Sequence, residues 1–317
     1  MSTAEIRKDY IQERYVVIAP RRGTRPHDVP TETKAVAKKA ASCAFCPVHP
    51  DHPAGIYCVG ADYLGDCFPD NTRPWQIKVV TNKFPAVTLD NPKAYGIQEV
   101  IIETPDHEPE LEDLPAEHIA KLLEVYAART IQITKNNRIE YVIIFKNQGG
   151  RAGASLEHSH SQIFATDFIP PHLIDKSQRT QRYKLLNGSC VFCDVVVKEQ
   201  ASSRLIFEDD YLIVFCPYAS MYNYEVWIMA KRHVDNVTML SAEERLAWAQ
   251  ALKKILPKIV KLGLSYNFYF HEIVNDPDQH LYMKITPRGS IWAGVEIGSG
   301  VVINPVAPED AAEYYRA

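Results

Sequence analysis

The same series of chemically distinctive residues occurs twice in this chain of 317 residues. Each series begins with a Cys-x-x-Cys pair, continues with a glutamate and, eight residues later, a histidine, and reaches a second histidine far downstream. In the first half the members are Cys43, Cys46, Glu99, His107 and His158, followed by His160 and Gln162. In the second half they are Cys190, Cys193, Glu225, His233 and His280, followed by Tyr282 and Lys284. The chain therefore contains a duplicated unit, and only its first copy has a histidine at the position of His160.

Both halves also contain a helical pattern after the first histidine of the series. A Leu-x-Ala-Glu tetrapeptide opens it at the same offset in each half, and apolar residues then recur at helical spacing. Ser241 and Glu244 have the spacing of a capping box, and Pro115 suits the first turn of the first helix. Pro257 is expected to kink or end the second helix.

The order of these patterns predicts the fold class. In each half a β-rich run follows the helix, and the histidine strand follows that run. Each copy therefore reads as an α+β unit with an antiparallel sheet and packed helices. We predict two tandem, related domains, residues 1–170 and residues 171–317, each with its own core, because the repeat is much longer than those of solenoids.

Composition excludes several classes of protein. With 46% apolar and 23% charged residues the chain is typical of a soluble globular protein. A net charge of −4 and a pI near 6.3 argue against binding to nucleic acid or to an anionic membrane. The first residues have no apolar core of the kind found in signal peptides, and the apolar runs are too short to cross a bilayer. We expect a cytoplasmic protein.

Each series can supply four ligands to a zinc ion. A Cys-x-x-Cys pair gives two thiolates from one tight turn, and histidines from distant strands can complete a tetrahedron. The predicted ligands are Cys43, Cys46, His107 and His158 in the first half and Cys190, Cys193, His233 and His280 in the second half. Four protein ligands leave no open position, so we predict one structural zinc ion per domain. The plainer alternative is buried cysteines with incidental histidines.

The use of cysteine fits this interpretation. Four of the seven cysteines lie in the two pairs, a pattern that indicates metal ligation under reducing conditions rather than a disulfide framework. The other three, Cys58, Cys67 and Cys216, are expected to be packing residues.

The residues after the first ligand set predict a nucleophile. Alternate side chains of a strand share a face, so His158, His160 and Gln162 should point the same way. A metal bound to His158 would hold His160 close to a rigid anchor. A neutral imidazole is a good nucleophile toward phosphorus near pH 7, because its free pKa is about 6.5.

A glycine-rich loop precedes this strand and predicts a phosphate site. Three glycines, among them Gly153, allow successive backbone amides to form a concave nest for phosphate oxygens. Asn147, Ser155 and Gln162 can donate further hydrogen bonds without adding a competing charge. Because the second half lacks both the loop and the nucleophile, the first half is the predicted site of chemistry.

With these residues the chain resembles the galactose-1-phosphate uridylyltransferase branch of the histidine triad superfamily, over nearly its whole length. The most specific similarities are the His-x-His-x-Gln strand at 158–162 with its glycine loop, and the Ala-Gly-x-Glu segment at 293–296. Further similar segments lie at residues 19–26, 81–86, 285–288 and 303–305. Ser159 stands where this branch often has proline.

The resemblance implies a two-step transfer of a nucleotide. His160 would attack the α-phosphorus of UDP-glucose, release glucose 1-phosphate and hold UMP covalently, and galactose 1-phosphate would then accept the UMP. The implied catalytic residues are His160, Gln162 and Ser155. The implied substrate-binding residues are Arg22, Arg25, Asn82, Asn147, Gly153 and Glu296. A homodimer is usual in this family, and a partner subunit can contribute to the sugar site.

Three alternatives remain open at this point. An ADP-sugar or dinucleoside-tetraphosphate phosphorylase would carry AMP on His160 and use inorganic phosphate as the acceptor. A nucleotide hydrolase would let water reach the covalent intermediate. A non-catalytic scaffold stapled by zinc would tolerate His160→Ala without loss of function.

Overall fold

The structure, a computed structural model, describes residues 4–24, 42–67, 74–272 and 276–317. Its helices are α1 (Ala116–Thr134), α2 (Pro171–Asn187), α3 (Val191–Gln200), α4 (Ala242–Lys261), α5 (Gly294–Ser299) and α6 (Pro308–Arg316). Short 3-10 helices lie at Pro20–Thr24, Leu111–Asp113, Gly150–Ala152 and Val237–Met239.

The strands belong to two sheets. The first-half strands are β1 (Glu5–Lys8), β2 (Tyr15–Ile18), β3 (Tyr57–Val59), β4 (Leu64–Gly65), β5 (Ile77–Thr81), β6 (Gly96–Ile102), β7 (Tyr141–Gln148) and β8 (His160–Thr166). The second-half strands are β9 (Leu205–Glu208), β10 (Leu212–Phe215), β11 (Val226–Ala230), β12 (Tyr266–His271), β13 (Tyr282–Pro287) and β14 (Val302–Asn304).

The larger sheet has eleven strands and joins the two halves. Its order is β4-β3-β5-β6-β8-β7-β12-β13-β11-β10-β9, and its neighbouring strands are antiparallel. The order reads alike outward from the β7–β12 junction, so β8 corresponds to β13 and β6 to β11. Within β7 Phe145 lies opposite Gln162, as Tyr269 within β12 lies opposite Lys284. The predicted α+β class with antiparallel sheets is confirmed, and the duplication is visible as a pseudo-twofold arrangement.

The two halves share one main core. Helices α1 and α4 pack together on one face of the large sheet, and the largest buried cluster includes Leu122 and Tyr126 of α1 and Trp248 and Leu252 of α4. The same cluster contains Phe268 at the centre of the sheet. The expectation of a separate core in each half is therefore wrong, because the apolar faces of both helices lie over one continuous sheet. The division into domains at residues 1–170 and 171–317 stays a prediction.

The predictions for the ends of α1 and α4 can be compared with the observed helix bounds. Ser241 and Glu244 form the predicted capping box at the start of α4. Pro115 is the N-cap residue, one position before α1 begins at Ala116. Of the two outcomes expected at Pro257, an end of the second helix is wrong, because α4 continues to Lys261, and a kink stays a prediction. Residues on both sides of the proline are buried in the shared core, and this packing outweighs the missing backbone donor.

A small three-stranded sheet, in the order β1-β2-β14, brings the amino-terminal and carboxy-terminal segments together. β14 runs parallel to β2, and the Ala19 amide donates to the Asn304 carbonyl over 2.8 Å. None of the described helices has the length and the apolar run that crossing a membrane requires.

The cysteines outside the two pairs behave differently from one another. Cys216 is a free, fully buried packing residue, as expected. Cys58 and Cys67 form a disulfide that ties β3 to the segment after β4, so their expected role as packing residues is wrong.

Candidate active site and metal clusters

The first predicted ligand set converges on one point. The ligand atoms of Cys43, Cys46, His107 and His158 all lie within 4.8 Å of one another. The Cys46 thiol is 3.4 Å from Nδ1 of His107 and 3.5 Å from Nδ1 of His158. Atoms at about 2.0–2.3 Å from a tetrahedral ion are about 3.3–3.8 Å from each other. The spacing therefore fits a single metal ion held by these four side chains.

The second set has the same geometry. The ligand atoms of Cys190, Cys193, His233 and His280 also lie within 4.8 Å of one another. Nδ1 of His233 is 3.5 Å and Nδ1 of His280 is 3.7 Å from the Cys193 thiol. The two halves thus present matching clusters, and each could bind a metal ion.

In both clusters, hydrogen bonds from the imidazole Nε2 atoms orient the rings for metal binding through Nδ1. His158 donates from Nε2 to the Thr104 carbonyl over 2.8 Å, and His280 donates from Nε2 to the Ala230 carbonyl over 2.7 Å. His233 likewise donates to the Pro277 carbonyl. These bonds place the proton on Nε2 and leave the Nδ1 lone pair directed toward the thiols, as metal-ligating histidines require.

His160 lies beside the first cluster with one ring nitrogen fixed. It is the first residue of β8 and only 7% exposed. Its Nδ1 donates to the His158 carbonyl over 2.8 Å, and its ring packs edge-on against Phe45, which lies inside the Cys-x-x-Cys turn. Burial lowers the pKa of His160, and the charge of Lys146 lowers it further. The Nε2 lone pair is therefore available on a neutral ring whose orientation is set by its neighbours.

A buried ionic network supports the strand from behind. Lys146 of β7 donates to a Glu103 carboxylate oxygen over 2.8 Å and to the Ser159 hydroxyl over 2.9 Å. Ser159 in turn donates to Glu103 over 2.6 Å. Burial alone would lower the pKa of Lys146, but the Glu103 carboxylate outweighs it and raises that pKa. Ser159 therefore connects the histidine strand to a buried ion pair.

Sequence reasoning missed this network. Lys146 directly follows the apolar run 141–145 within β7 and is buried there, where a lysine is costly unless it has a partner. The sequence shows the lysine but not its burial, so it gave no clear signal of this network.

The glycine loop has the backbone conformation that a nest needs. Gly149 has φ +80° and Gly153 has φ +86°, a region that other residues rarely adopt. Asn267 of the second half donates to the Asn147 side-chain oxygen and to the Ala152 carbonyl, each over 2.8 Å. The loop of the first half is thus held by a residue of the second.

The two other predicted catalytic side chains differ in their surroundings. Gln98 accepts from the Ala86 amide and donates to the Gln162 side-chain oxygen over 3.3 Å, which leaves the Gln162 N–H groups as donors. Ser155 is exposed at the end of the glycine loop. Beside the loop, a groove of about 440 Å³ runs over the β7–β12 junction, with Asn147, Asn267 and Arg288 in its lining.

Of the remaining predicted substrate residues, the structure describes Asn82, Arg22 and Glu296, which lie in two places. Asn82 follows β5 and its side chain accepts from the Phe84 amide. Glu296 accepts from the Ala293 amide, and this bond, with a smaller effect from Arg22, lowers its pKa. Arg22 and Glu296 are therefore neighbours beside the small sheet, and among the described residues neither bonds to the His160 site. Arg25 lies outside the described residues.

In the second half, Tyr282 and Lys284 occupy the positions of His160 and Gln162. Tyr282 is buried and burial raises its pKa well above the usual value, so its phenol is a poor nucleophile. Lys284 pairs with Glu225 at 3.3 Å. Among the described residues, the first half alone therefore has a histidine at this position of the strand.

Comparison with known proteins agrees with this geometry. Residues 64–170 match the family described as galactose-1-phosphate uridyl transferase, N-terminal domain. ADP-glucose phosphorylase of Arabidopsis thaliana is 31% identical over an alignment of 336 positions, gaps included. The alignment covers 98% of this chain and 92% of that protein. The chain belongs to the galactose-1-phosphate uridylyltransferase family.

A second relative and a solved structure support the same assignment. Galactose-1-phosphate uridylyltransferase of Thermotoga maritima is 29% identical and aligns with 85% of this chain and 91% of its own length. The crystal structure of the Arabidopsis thaliana ADP-glucose phosphorylase with bound ADP-glucose superposes with a TM-score of 0.85 at 30% identity, covering 99% of each chain. The predicted family is confirmed, and the chain is an enzyme of a nucleotidyltransferase family.

Proposed function

We propose that the protein transfers a nucleoside monophosphate from a nucleoside diphosphate hexose, through a covalent bond to Nε2 of His160. The observation that carries this proposal is the buried His160 ring, whose Nδ1 donates to the His158 carbonyl over 2.8 Å. That bond turns the free lone pair of Nε2 away from the His158 carbonyl, and the proposed phosphate loop precedes the same strand in the chain. The proposed reaction moves UMP between UDP-glucose and galactose 1-phosphate.

The reaction has two balanced steps. Nε2 of His160 attacks the α-phosphorus, an N–P bond forms, and the bond to the bridging oxygen breaks, so hexose 1-phosphate leaves with that oxygen. In the second step a phosphate oxygen of the acceptor attacks the same phosphorus and the N–P bond breaks. The neutral ring is regenerated without net oxidation or reduction. One phosphate pocket can serve both steps, because the phosphoryl group stays in place.

The other site residues have proposed roles in this scheme. The amide of Gln162, the hydroxyl of Ser155 and the loop amides around Gly153 would hold the transferred phosphoryl group by hydrogen bonds. Asn147 would contact the adjoining phosphate. The proposed nucleotide and sugar contacts are Arg22, Arg25, Asn82 and Glu296.

We also propose that each cluster holds a zinc ion. The donor set of two thiolates and two imidazoles is typical of structural zinc. When bound, zinc supplies a fixed tetrahedral centre. In the first half, His158 would then carry that rigidity to His160 through Ser159, the single residue between them.

A second candidate is transfer of AMP, with inorganic phosphate as the acceptor. It is favoured by the relative named ADP-glucose phosphorylase, which aligns with 98% of this chain, compared with 85% for the Thermotoga maritima uridylyltransferase. The identities, 31% and 29%, are too close to decide between the two donors. Both candidates use the same histidine.

The donor can be identified by trapping the intermediate. Protein is incubated with UDP-glucose or ADP-glucose labelled at the α-phosphate, and either an acceptor or buffer alone is then added. The protein is finally denatured and separated from free nucleotide, and the label that it retains is measured. Retained label from UDP-glucose, released on adding galactose 1-phosphate, supports uridylyl transfer. Retained label from ADP-glucose, released on adding inorganic phosphate, supports the second candidate. Loss of label in buffer alone would indicate hydrolysis, and His160→Ala should retain no label from either donor.

A homodimer remains part of the proposal. It is supported by an exposed apolar surface next to Glu296, where Ile291 is 74%, Val295 56% and Ile297 75% exposed. A second chain that covered this surface could bring Glu296 and Arg22 to the His160 site. Sedimentation equilibrium of wild type and of Ile297→Lys tests this, since the substitution should shift the protein toward monomer.

A further inference from the structure

The second half contains a cavity at the position that corresponds to the proposed active site. Tyr282 and Lys284, the counterparts of His160 and Gln162, both line it. The cavity measures about 300 Å³ and is closed on one side by the loop after β1 and by α2. Its charged lining residues are Asp9, Arg14, Lys176 and Lys284. Loss of the nucleophile has therefore not filled the site with packed side chains.

The lining carries more positive than negative charge. Lys176 is only 4% exposed, donates to the Tyr282 hydroxyl over 2.9 Å, and has no carboxylate at ion-pair distance in the described part of the chain. Arg14 donates to the sulfur of Met221, which is a weak acceptor. Among the residues that the structure describes, Lys284 is the only lining cation with a close carboxylate, that of Glu225 at 3.3 Å.

The one acidic residue of the lining is already engaged. An Asp9 carboxylate oxygen accepts from the amides of Ile11 and Gln12 over 3.0 and 2.9 Å. Burial, and then the nearby Lys284, lower the pKa of Lys176 to about 7, which is the behaviour of a buried ammonium without a counterion. A bound anion would supply that missing charge.

Flat rings form the other walls. Trp227, Tyr282 and His271 stack in a column, with ring centroids 4.5 Å apart for the first pair and 4.6 Å for the second. Trp292 stacks on Tyr222 near the opening. A volume of about 300 Å³ is at the lower end of small-molecule pockets, so it suits one phosphoryl group with a small substituent better than a nucleotide sugar.

We propose that this cavity is a non-catalytic binding site for a small phosphorylated anion, either inorganic phosphate or a hexose phosphate. Lys176 and Arg14 would donate to the phosphoryl oxygens, and the stacked rings would flank the substituent. No covalent step occurs there, because Tyr282 is a buried phenol that accepts a hydrogen bond from Lys176. The site is separate from His160, so it stands whether or not the proposed transfer is correct.

The test is phosphate binding to the full-length chain, followed by tryptophan fluorescence, since two of the four tryptophans line the cavity. Inorganic phosphate and glucose 1-phosphate are titrated separately into His160→Ala, which removes the possibility of turnover. Each ligand is also titrated into the same background with Lys176→Met, Arg14→Gln or Lys184→Met added. Lys184 is the matched control, because it lies on the same helix as Lys176 but is exposed and outside the lining.

We expect saturable binding of at least one ligand, weakened about tenfold or more by Lys176→Met and by Arg14→Gln and unchanged by Lys184→Met. Tighter binding of glucose 1-phosphate than of phosphate would identify a sugar phosphate site, and the reverse order would identify a site for free phosphate. Absence of saturable binding, or equal affinity in all four proteins, would overturn the proposal. Thermal melting of each variant confirms that it is folded, and Arg14→Gln, at a partly exposed position, keeps the test valid if Lys176→Met does not fold.

Discussion

At the scale of single residues, the histidine strand uses its two faces for different purposes. His160 and Gln162 face the metal-cluster side, where Phe45 and Gln98 contact them. Ser159 faces the opposite way and bonds to the buried Lys146–Glu103 pair. Because side chains alternate between the two faces of a strand, one short segment holds the proposed nucleophile on one face and a bond to the buried ion pair on the other.

The support can be tested with Lys146→Met. Removing the ammonium leaves the Glu103 carboxylate buried without its cation, so the free energy of unfolding should fall by about 3–5 kcal/mol. Urea unfolding measures the change. Lys146→Met combined with Glu103→Met should recover part of the loss, because the most deeply buried carboxylate is removed together with its cation. A single variant as stable as wild type would show that the pair is not important for the fold.

At the scale of elements, the β7–β12 junction holds the glycine loop in place. Asn267 on β12 bonds to Asn147 and to the Ala152 carbonyl, so a strand of the second half positions a loop of the first. This could not be predicted from the sequence. The β-rich composition of β7 and β12 marks both as strands, but it does not show which edges pair.

Asn267→Ala should slow nucleotidyl transfer about tenfold or more, because small displacements of a phosphate-binding loop strongly affect rates. Steady-state kinetics with the donor identified above provide the measurement, and a lower kcat is expected with a modest change in KM. Asn136→Ala is the control, since its side chain makes a similar bond, to Tyr95, far from the loop. A rate equal to that of wild type would remove Asn267 from this positioning role.

Glu272, just after β12, predicts a pH dependence of stability. One of its oxygens accepts from the Val237 amide over 2.9 Å, and burial raises its pKa to about 8. The folded protein therefore holds a proton that the unfolded chain, with a pKa near 4.3, releases. Stability should fall as the pH rises from about 5 to 8, by at most about 1.4 kcal/mol per pH unit from this group.

Glu272→Gln should flatten that dependence, because a neutral amide does not titrate. Urea unfolding of wild type and variant at several pH values between about 5 and 8 provides the comparison. Identical slopes in the two proteins would show that Glu272 is not the group responsible.

At the scale of the whole molecule, a duplicated sheet carries two matching Cys/His clusters and one proposed nucleophile. Both ligand sets could be predicted because the same spacing occurs twice, and each copy supports the interpretation of the other. The Cys58–Cys67 disulfide could not be predicted, because it belongs to no repeated pattern, and the burial of Lys146 could not, because the lysine stands next to the polar residues Asn147 and Gln148. The proximity of Arg22 and Glu296 depends on the pairing of β2 with β14, which joins residues nearly 300 positions apart.

Because only the first half has a histidine at the position of His160, matched substitutions in the two clusters should have different effects. Cys46→Ser and Cys193→Ser should each reduce bound metal from two ions per chain to one, as measured by elemental analysis. Cys46→Ser should also abolish most of the transfer activity, because His158 no longer anchors the strand of His160. Cys193→Ser should keep most of its activity while lowering the melting temperature. Equal losses of activity would contradict a single chemical centre in the first half.

Mass spectrometry of the protein, treated with nucleotide sugar and then digested, tests the proposed phosphorus–nitrogen bond most directly. We predict a peptide containing His160 that is heavier by one nucleoside monophosphate and returns to its original mass after the acceptor is added. Turnover without any such adduct, or an adduct on another side chain, would contradict the assignment of His160 as the nucleophile.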